Sequence, residues 1–358
     1  MKSIYWALPG VLTLPLALLG QASGPVPTKL PSVFPKPSFV LHDEKLKLEK
    51  PRTVLGPISS DGKGKTVGSF AVYGGSNMIQ VTSLSFSGDG KLLAVGSTPG
   101  HVDVWDVEKR KLIRSFAGGT YVALSADGRL LAKDGNGIEI VEVASGNSQL
   151  RIKWTGGDVR GLSFDPNAKR LLVSANGNDD KVFDLANGQL LADLKNTRPG
   201  RFSQDGSLII GGDYQHLITW STQDWRVVRS LPNGPDYVTT IAGYPEKDLE
   251  VVGGPHSARL LNLSSGKQIA QVGVGYTNFV SFDPAGSLVF TYTSSGFSVW
   301  DITGNRFCSQ ADMGNGTLAL SPDGAWLAAG QVNRATDALV WNVHEILAVC
   351  SAEGGTGR

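Results

Sequence analysis

The feature that most limits what this chain can become is a pattern that returns seven times. Its clearest copy is Val81 to Gly118, VTSLSFSGDGKLLAVGSTPGHVDVWDVEKRKLIRSFAG. It reads as four short strands, Val81 to Phe86, Lys91 to Val95, Val102 to Val107 and Leu112 to Phe116, with a Gly88-Asp89-Gly90 turn after the first. Equivalent turns fall at Asp89-Gly90, Asp127-Gly128, Asn167-Ala168, Asp205-Gly206, Glu246-Lys247, Ala285-Gly286 and Asp323-Gly324, 38 to 41 residues apart. A unit repeated at such a period cannot bury its apolar faces alone, so neighbouring copies must stack. Asp-Gly suits a hairpin because both residues tolerate the positive φ of a tight primed turn. The Glu246-Lys247 copy lacks Gly, which predicts a longer or distorted turn there.

The segment after each turn is apolar: Leu92 to Val95, Leu130 to Ala132, Leu171 to Val173, Leu208 to Ile210, Leu249 to Val252, Leu288 to Phe290 and Trp326 to Ala328. Continuous rather than alternating hydrophobicity marks a strand covered on both faces. Glu250 is the exception. The third strand of each copy ends in a bulky-polar pair: Trp105-Asp106, Val141-Glu142, Phe183-Asp184, Trp220-Ser221, Leu261-Asn262, Trp300-Asp301 and Trp341-Asn342. Four strands per period, closed by such a pair, are the signature of a propeller blade. Over roughly Val81 to Cys350 the chain resembles the WD-repeat (WD40-like) β-propeller family. The resemblance implies an all-β, seven-bladed β-propeller of four-stranded antiparallel blades. The bulky residue is then expected between blades, and the polar one capping the following turn.

The chain departs from the family pattern before the first strand. Members often carry a Gly-His pair there, whose His joins a buried network with Asp, Ser/Thr and Trp. Here those positions hold Gly118 to Thr120, Gly156 to Asp158, Arg198 to Gly200 and Gly314 to Gly316, without His. Stability is therefore expected to rest on packing. Ring closure in the family usually borrows the last blade's outer strand from the N-terminal side. Lys65 to Tyr73, KTVGSFAVY, resembles the outer-strand segment KLIRSFAGG and is the preferred candidate; Glu345 to Cys350 competes with it. Pairing both ends in one sheet hides edges.

Residues 1–22 read as a secretory signal peptide, with Lys2, the apolar run Ala7 to Gly20 and small residues around Ala22. The run is short for a bilayer and is broken by Pro9 and Pro15, so no membrane span is expected after cleavage. Residues 23–60 carry seven prolines, from Pro25 to Pro57, and read as an arm or linker. Within it KLKLEK, Lys45 to Lys50, has the alternation of an edge strand. The propeller is placed at 61–350 and a flexible tail at 351–358. The net charge of +1 gives no footprint for nucleic acid.

Catalytic motifs are absent: there is no G-x-S-x-G, H-E-x-x-H, P-loop, C-x-x-C or dinucleotide glycine pattern. Of five His, His101, His216 and His256 precede the third strand of their repeats, in loops that open on one face. The same face collects Asp134, Asn136, Asn178, Asp179, Asp180, Asp213, Tyr214 and Arg334. The Asn178 to Asp180 cluster lacks the spacing of a Ca²⁺ loop, and the three His sit in repeats one, four and five. These residues are candidates for contacts to a partner, and no metal or cofactor is expected. Trp225 has no counterpart in other repeats and is either an exposed contact or ordinary edge packing. Cys308 and Cys350 are the only cysteines; export would allow them to pair. As outer-strand residues of adjacent blades they also stand in danger of being too far apart.

The expected function is a non-enzymatic exported scaffold for a protein or peptide partner, recognised on that loop face. One alternative is an envelope hydrolase or lactonase-like propeller with an axial metal. Another is a subunit of an envelope assembly, docked by the Pro25 to Ser60 arm.

Overall fold

A computed structural model describes residues 38–41, 80–98, 100–176, 179–197, 199–212, 215–232, 237–244, 247–310, 317–330 and 338–354. The signal-like segment, most of the proline-rich arm and Lys65 to Tyr73 lie outside them. Seven four-stranded antiparallel sheets stand in a ring. Blade 1 consists of Gln80–Phe86, Leu92–Thr98, His101–Asp106 and Lys111–Ala117. Blades 2 to 6 begin with the inner strands Val122–Leu124, Val159–Phe164, Arg201–Phe202, Thr240–Tyr244 and Thr277–Phe282, and each adds three strands in sequence order. Blade 7 is Leu318–Leu320, Trp326–Gly330 and Ala338–Asn342, with Phe39–Leu41 as its outer strand.

Closure does come from the N-terminal side, but through a different segment from the one expected. Phe39–Leu41 pairs with Val340, Leu339 and Ala338, so the proline-rich arm is not wholly outside the ring. Leu41 is buried in a core that joins blade 7 to blade 1 with Val81, Leu93, Trp105, Ala328 and Val340. Glu345 to Cys350 is not a strand. It belongs to the helix Val343–Gly354, which also takes in residues 351–354 of the expected tail. The apolar spacing of Val343, Ile346 and Leu347 lets this segment pack as a helix, and Asn342 caps it. In the other blades the polar residue at this position accepts from the turn that follows: the Lys109 amide on Asp106, the Ala186 amide on Asp184, the Thr303 amide on Asp301. In blade 7 the Asn342 Oδ1 accepts the His344 amide at 2.9 Å and caps a helix instead.

The second strands supply the core. Leu93, Leu131, Leu171, Ile209, Val289 and Leu327 occupy one register position and have no exposed surface. Each such side chain contributes roughly 1.5–3 kcal/mol when withdrawn from water. The bulky third-strand residues cover the same seams: Trp105, Val141, Phe183, Leu261 and Trp341 are buried. Trp225 packs on the core shared by blades 3 and 4, with Leu172, Ala192 and Phe202. It does so in a left-handed backbone conformation, φ 58°, where other blades place Gly146, Gly188 and Gly266.

Packing is not the only support. The serine that ends the inner strand anchors the first turn: Ser87 Oγ donates to Asp89 and accepts the Leu92 amide. Ser125, Ser203 and Ser321 do the same with Asp127, Asp205 and Asp323. In blades 3 and 6 Asp165 and Asp283 replace the serine and accept the amides directly. The hydrogen bonds from Ser203 and Ser207 pull the Asp205 carboxyl down to about 2. The turn is therefore a four-residue one in which only the last position is left-handed (Gly90 φ 69°, Gly128 φ 69°), and the aspartate serves as an acceptor. In blade 5 the Gly-less copy places Asp248 at φ 55°, and Lys247 Nζ reaches the Ala285 carbonyl of the next blade at 2.7 Å.

Two polar clusters sit between blades. Glu250, fully buried, accepts two hydrogen bonds from Arg201 of blade 4, at 3.0 and 2.9 Å. A Cβ at Gly243 would collide with both side chains, so that glycine is the room they occupy. Lys133 is buried between the Ala117 carbonyl of blade 1 and Glu139.

Cys308 and Cys350 form a disulfide with Cα atoms 5.4 Å apart. Cys308 is on the outer strand of blade 6, but Cys350 is on the helix. Ile346 anchors that helix among Phe297, Val299 and Trp341, across the seam of blades 6 and 7. The helix removes the distance that separates two outer strands.

Candidate functional site

Inner strands start, and second strands end, on one face of the ring. That face therefore carries both the loops between second and third strands and the links from each outer strand to the next blade. A pocket of about 350 Å³ opens there, against the starts of the inner strands of blades 3, 4 and 5. Its lining includes Arg160, Gly161, Ser174, Pro199, Tyr237 and Tyr276.

The link into blade 3 is held in place before it reaches the pocket. Trp154 Nε1 donates to the Gly157 carbonyl at 2.7 Å, and the Asn176 amide donates to the Asp158 carbonyl at 2.8 Å. Arg160 Nε donates to Asn176 Oδ1 at 3.0 Å, and its NH1 approaches the Tyr121 hydroxyl of blade 2 at 3.4 Å. Asp158 lies 3.9 Å from the guanidinium, too far for a hydrogen bond, and is itself held by Asn176 Nδ2 at 3.2 Å. Arg160 is thus fixed along one edge while half of its side chain stays exposed. Among the described residues it is the only charged one that lines the pocket. On the far wall Thr239 Oγ1 donates to the Thr277 carbonyl at 2.7 Å and ties blade 5 to blade 6. Tyr276 stands 43% exposed at the rim.

The candidates expected from sequence fare differently. His101 Nε2 meets Asp103 Oδ1 at 2.9 Å, and Ser115 Oγ donates to the same oxygen at 2.6 Å, so this histidine belongs to a cluster inside blade 1. Asp179 accepts Lys195 Nζ at 2.6 Å and the Asn196 amide at 3.1 Å. Asp180 is fully buried, beside Gly200 of blade 4. It is corrected from a surface contact to an interior group, because the first position of the third strand turns its side chain into the seam. His216 opens the third strand of blade 4 and pairs with Pro232, and His256 is exposed in blade 5. Asn178, Asp213, Tyr214 and Arg334 lie outside the described residues. Among the described residues, no three His, Cys, Asp or Glu side chains converge as metal ligands.

Arg160, Gly161, Ser174, Tyr237 and Tyr276 were not singled out from the sequence. Gly161 occupies the inner-strand position held elsewhere by Ser83, Tyr121, Pro199, Thr240, Phe279 and Thr317, so alignment of the inner strands shows one position without a side chain.

The family model of the anaphase-promoting complex subunit 4 WD40 domain matches residues 69–125, a stretch that takes in blade 1 and the inner strand of blade 2. The chain is a seven-bladed β-propeller, and over that stretch it is similar to a WD40 domain. No curated protein matches the sequence closely enough to count as a relative. WD40 propellers generally serve as protein-interaction scaffolds and are typically non-enzymatic. Among the described residues no helix is long and apolar enough to cross a membrane.

Proposed function

We propose that this WD40-like propeller is an exported, non-enzymatic scaffold that holds a protein or peptide partner on the face where the inner strands start. The observation that carries the reading is the pocket at blades 3 to 5, concave and rimmed by Tyr276 and a fixed, half-exposed Arg160. Tyrosine and arginine are the side chains that most often anchor a protein partner. The Cys308–Cys350 bond supports export, since structural disulfides persist in oxidising compartments. The signal-like residues 1–22 support it independently. An axial hydrolase requires carboxylates or metal ligands near the axis, whereas the described residues that line the pocket include one arginine and no acid.

A photo-crosslinking residue placed at Tyr276 on this face, or at Gln204 in a turn on the opposite face, tests the reading in native cells. Partner adducts are expected from position 276 and not from 204. Adducts from 204 alone would overturn the assignment.

A further inference from the structure

The floor of the pocket is a notch in blade 3. Gly161 has no side chain where the other blades place one, and it faces Ser174 across the first strand pair. A Cβ on Gly161 would rest 3.6 Å from Ser174 Cβ and 3.9 Å from its Oγ. That is ordinary contact, and the φ of Gly161 is not left-handed, so the glycine is not demanded by the backbone. What it provides is space. Ser174 is 5% exposed and lines the pocket, and no hydrogen bond joins its hydroxyl to another described residue. A hydroxyl in that position is normally satisfied by protein or by ordered water, and here it faces the pocket, where a ligand can reach it. At the mouth of the notch Arg160 donates from Nε to Asn176 and from NH1 to Tyr121, while its NH2 donates no hydrogen bond to a described residue and has the Asp158 carboxylate 3.9 Å away.

We propose that the notch is a carboxylate-reading subsite that takes one Asp or Glu side chain of an extended peptide partner. The NH2 of Arg160, which makes no hydrogen bond to its neighbour Asp158 at 3.9 Å, binds the carboxylate, Ser174 donates to it from the floor, and Leu162, Leu172 and Val238 enclose the methylene stem. A single guanidinium matches a monoanion. A phosphate dianion carries more charge and three strong acceptor oxygens, and one fixed Arg leaves it under-compensated. The volume of about 350 Å³ holds a side chain rather than a folded element. This inference rests on the scaffold reading above and adds the chemistry of what is read.

The test selects random peptides displayed on phage against the intact chain, then measures selected peptides by fluorescence anisotropy. Peptides are expected to be enriched in Asp or Glu at one position. Gln or Asn there, or Arg160→Gln in the protein, should weaken binding about ten- to a hundredfold, the value of a charge-assisted hydrogen bond. Gly161→Ala, whose Cβ makes only ordinary contacts, and the larger Gly161→Val should do the same in increasing order while the far-UV spectrum stays unchanged and the melting temperature does not fall. Peptides that crosslink from Tyr276 but tolerate Arg160→Gln and Gly161→Val would overturn the subsite and leave the scaffold standing. Failure to select any peptide on this face would overturn both. Free glutarate serves as the second arm: displacement of the peptide at millimolar glutarate is expected of a shared carboxylate site. Glutarate binding at Arg160 without any peptide binding would assign the site to a small acid and overturn the peptide source.

Discussion

The pair formed by Arg201 and Glu250 gives the sharpest prediction about how the blades are held together. Glu250 has no exposed surface and Arg201 keeps 20% of its side chain exposed. Burial pushes the Glu250 carboxyl up, against the pull of the Arg201 charge and hydrogen bonds. Arg201 Nε is buried with no hydrogen-bond partner, so the desolvation of the guanidinium is not fully repaid. Removing one partner strands the other charge in the seam. Glu250→Leu alone is therefore expected to lower stability by about 3–5 kcal/mol, the usual cost of breaking a buried ion pair. The double variant Arg201→Met/Glu250→Leu replaces both groups by apolar ones of similar size. It should return to within about 1 kcal/mol of the parent or exceed it. Urea unfolding of the four proteins, followed by tryptophan fluorescence and far-UV circular dichroism, supplies the double-mutant cycle. Additive losses in the double variant would refute the reasoning, because they would show two independent packing contacts rather than a pair.

Three further outcomes follow from the same geometry. Replacing Cys308 and Cys350 by Ser opens a covalent link across 42 residues and should cost up to about 4 kcal/mol by the loop-entropy relation; limited proteolysis should then cut first in the helix Val343–Gly354, and an unchanged pattern would contradict this. Burial raises the Glu139 carboxyl, but hydrogen bonds from Lys133, Ser148 and Arg151 outweigh it and hold it at about 2. Its folded value lies below its unfolded one, so its contribution, at most roughly 3 kcal/mol, is present above pH 4.5 and is lost as pH falls toward 2. Glu139→Gln should flatten that part of a stability-against-pH curve, and an unaltered curve would place the acid sensitivity elsewhere. Ser125→Ala removes the buried acceptor of the Leu130 amide and should cost roughly 1–3 kcal/mol by thermal unfolding, whereas a neutral result would show that the turn holds without its serine.

The period, the apolar second strands and the bulky-polar pairs made the seven blades legible, because each is a local pattern repeated in phase. The closing strand was not. Phe39–Leu41 is three residues long and follows a run of prolines, so no alternation marks it, whereas Lys65 to Tyr73 has the composition of an outer strand and lies outside the described residues. Asn342 misled for a related reason: the same residue type caps a turn in blade 5 and a helix in blade 7, and only the apolar spacing of Val343, Ile346 and Leu347 separates the two. The disulfide followed from that helix and had no local signature of its own.

The candidate site was legible as a face and not as a set of residues. Sequence put His101 and Asp180 among surface contacts because they border a loop, yet strand alternation turns one into an intra-blade cluster and the other into a seam. The pocket instead depends on what is missing. Gly161 and Arg160 become informative only when inner strands are compared position by position across blades, since neither forms a motif with its own neighbours.

The account depends most on ring closure by the N-terminal segment, which fixes the face that all seven blades share. Cysteines introduced at Leu41 and Ala338, cross-strand partners in blade 7, test it by peptide mapping of the purified, unreduced protein. The account predicts an intramolecular disulfide linking those two peptides in the monomer, formed without added oxidant beyond air. Two free thiols, or a link found only between molecules, would contradict it.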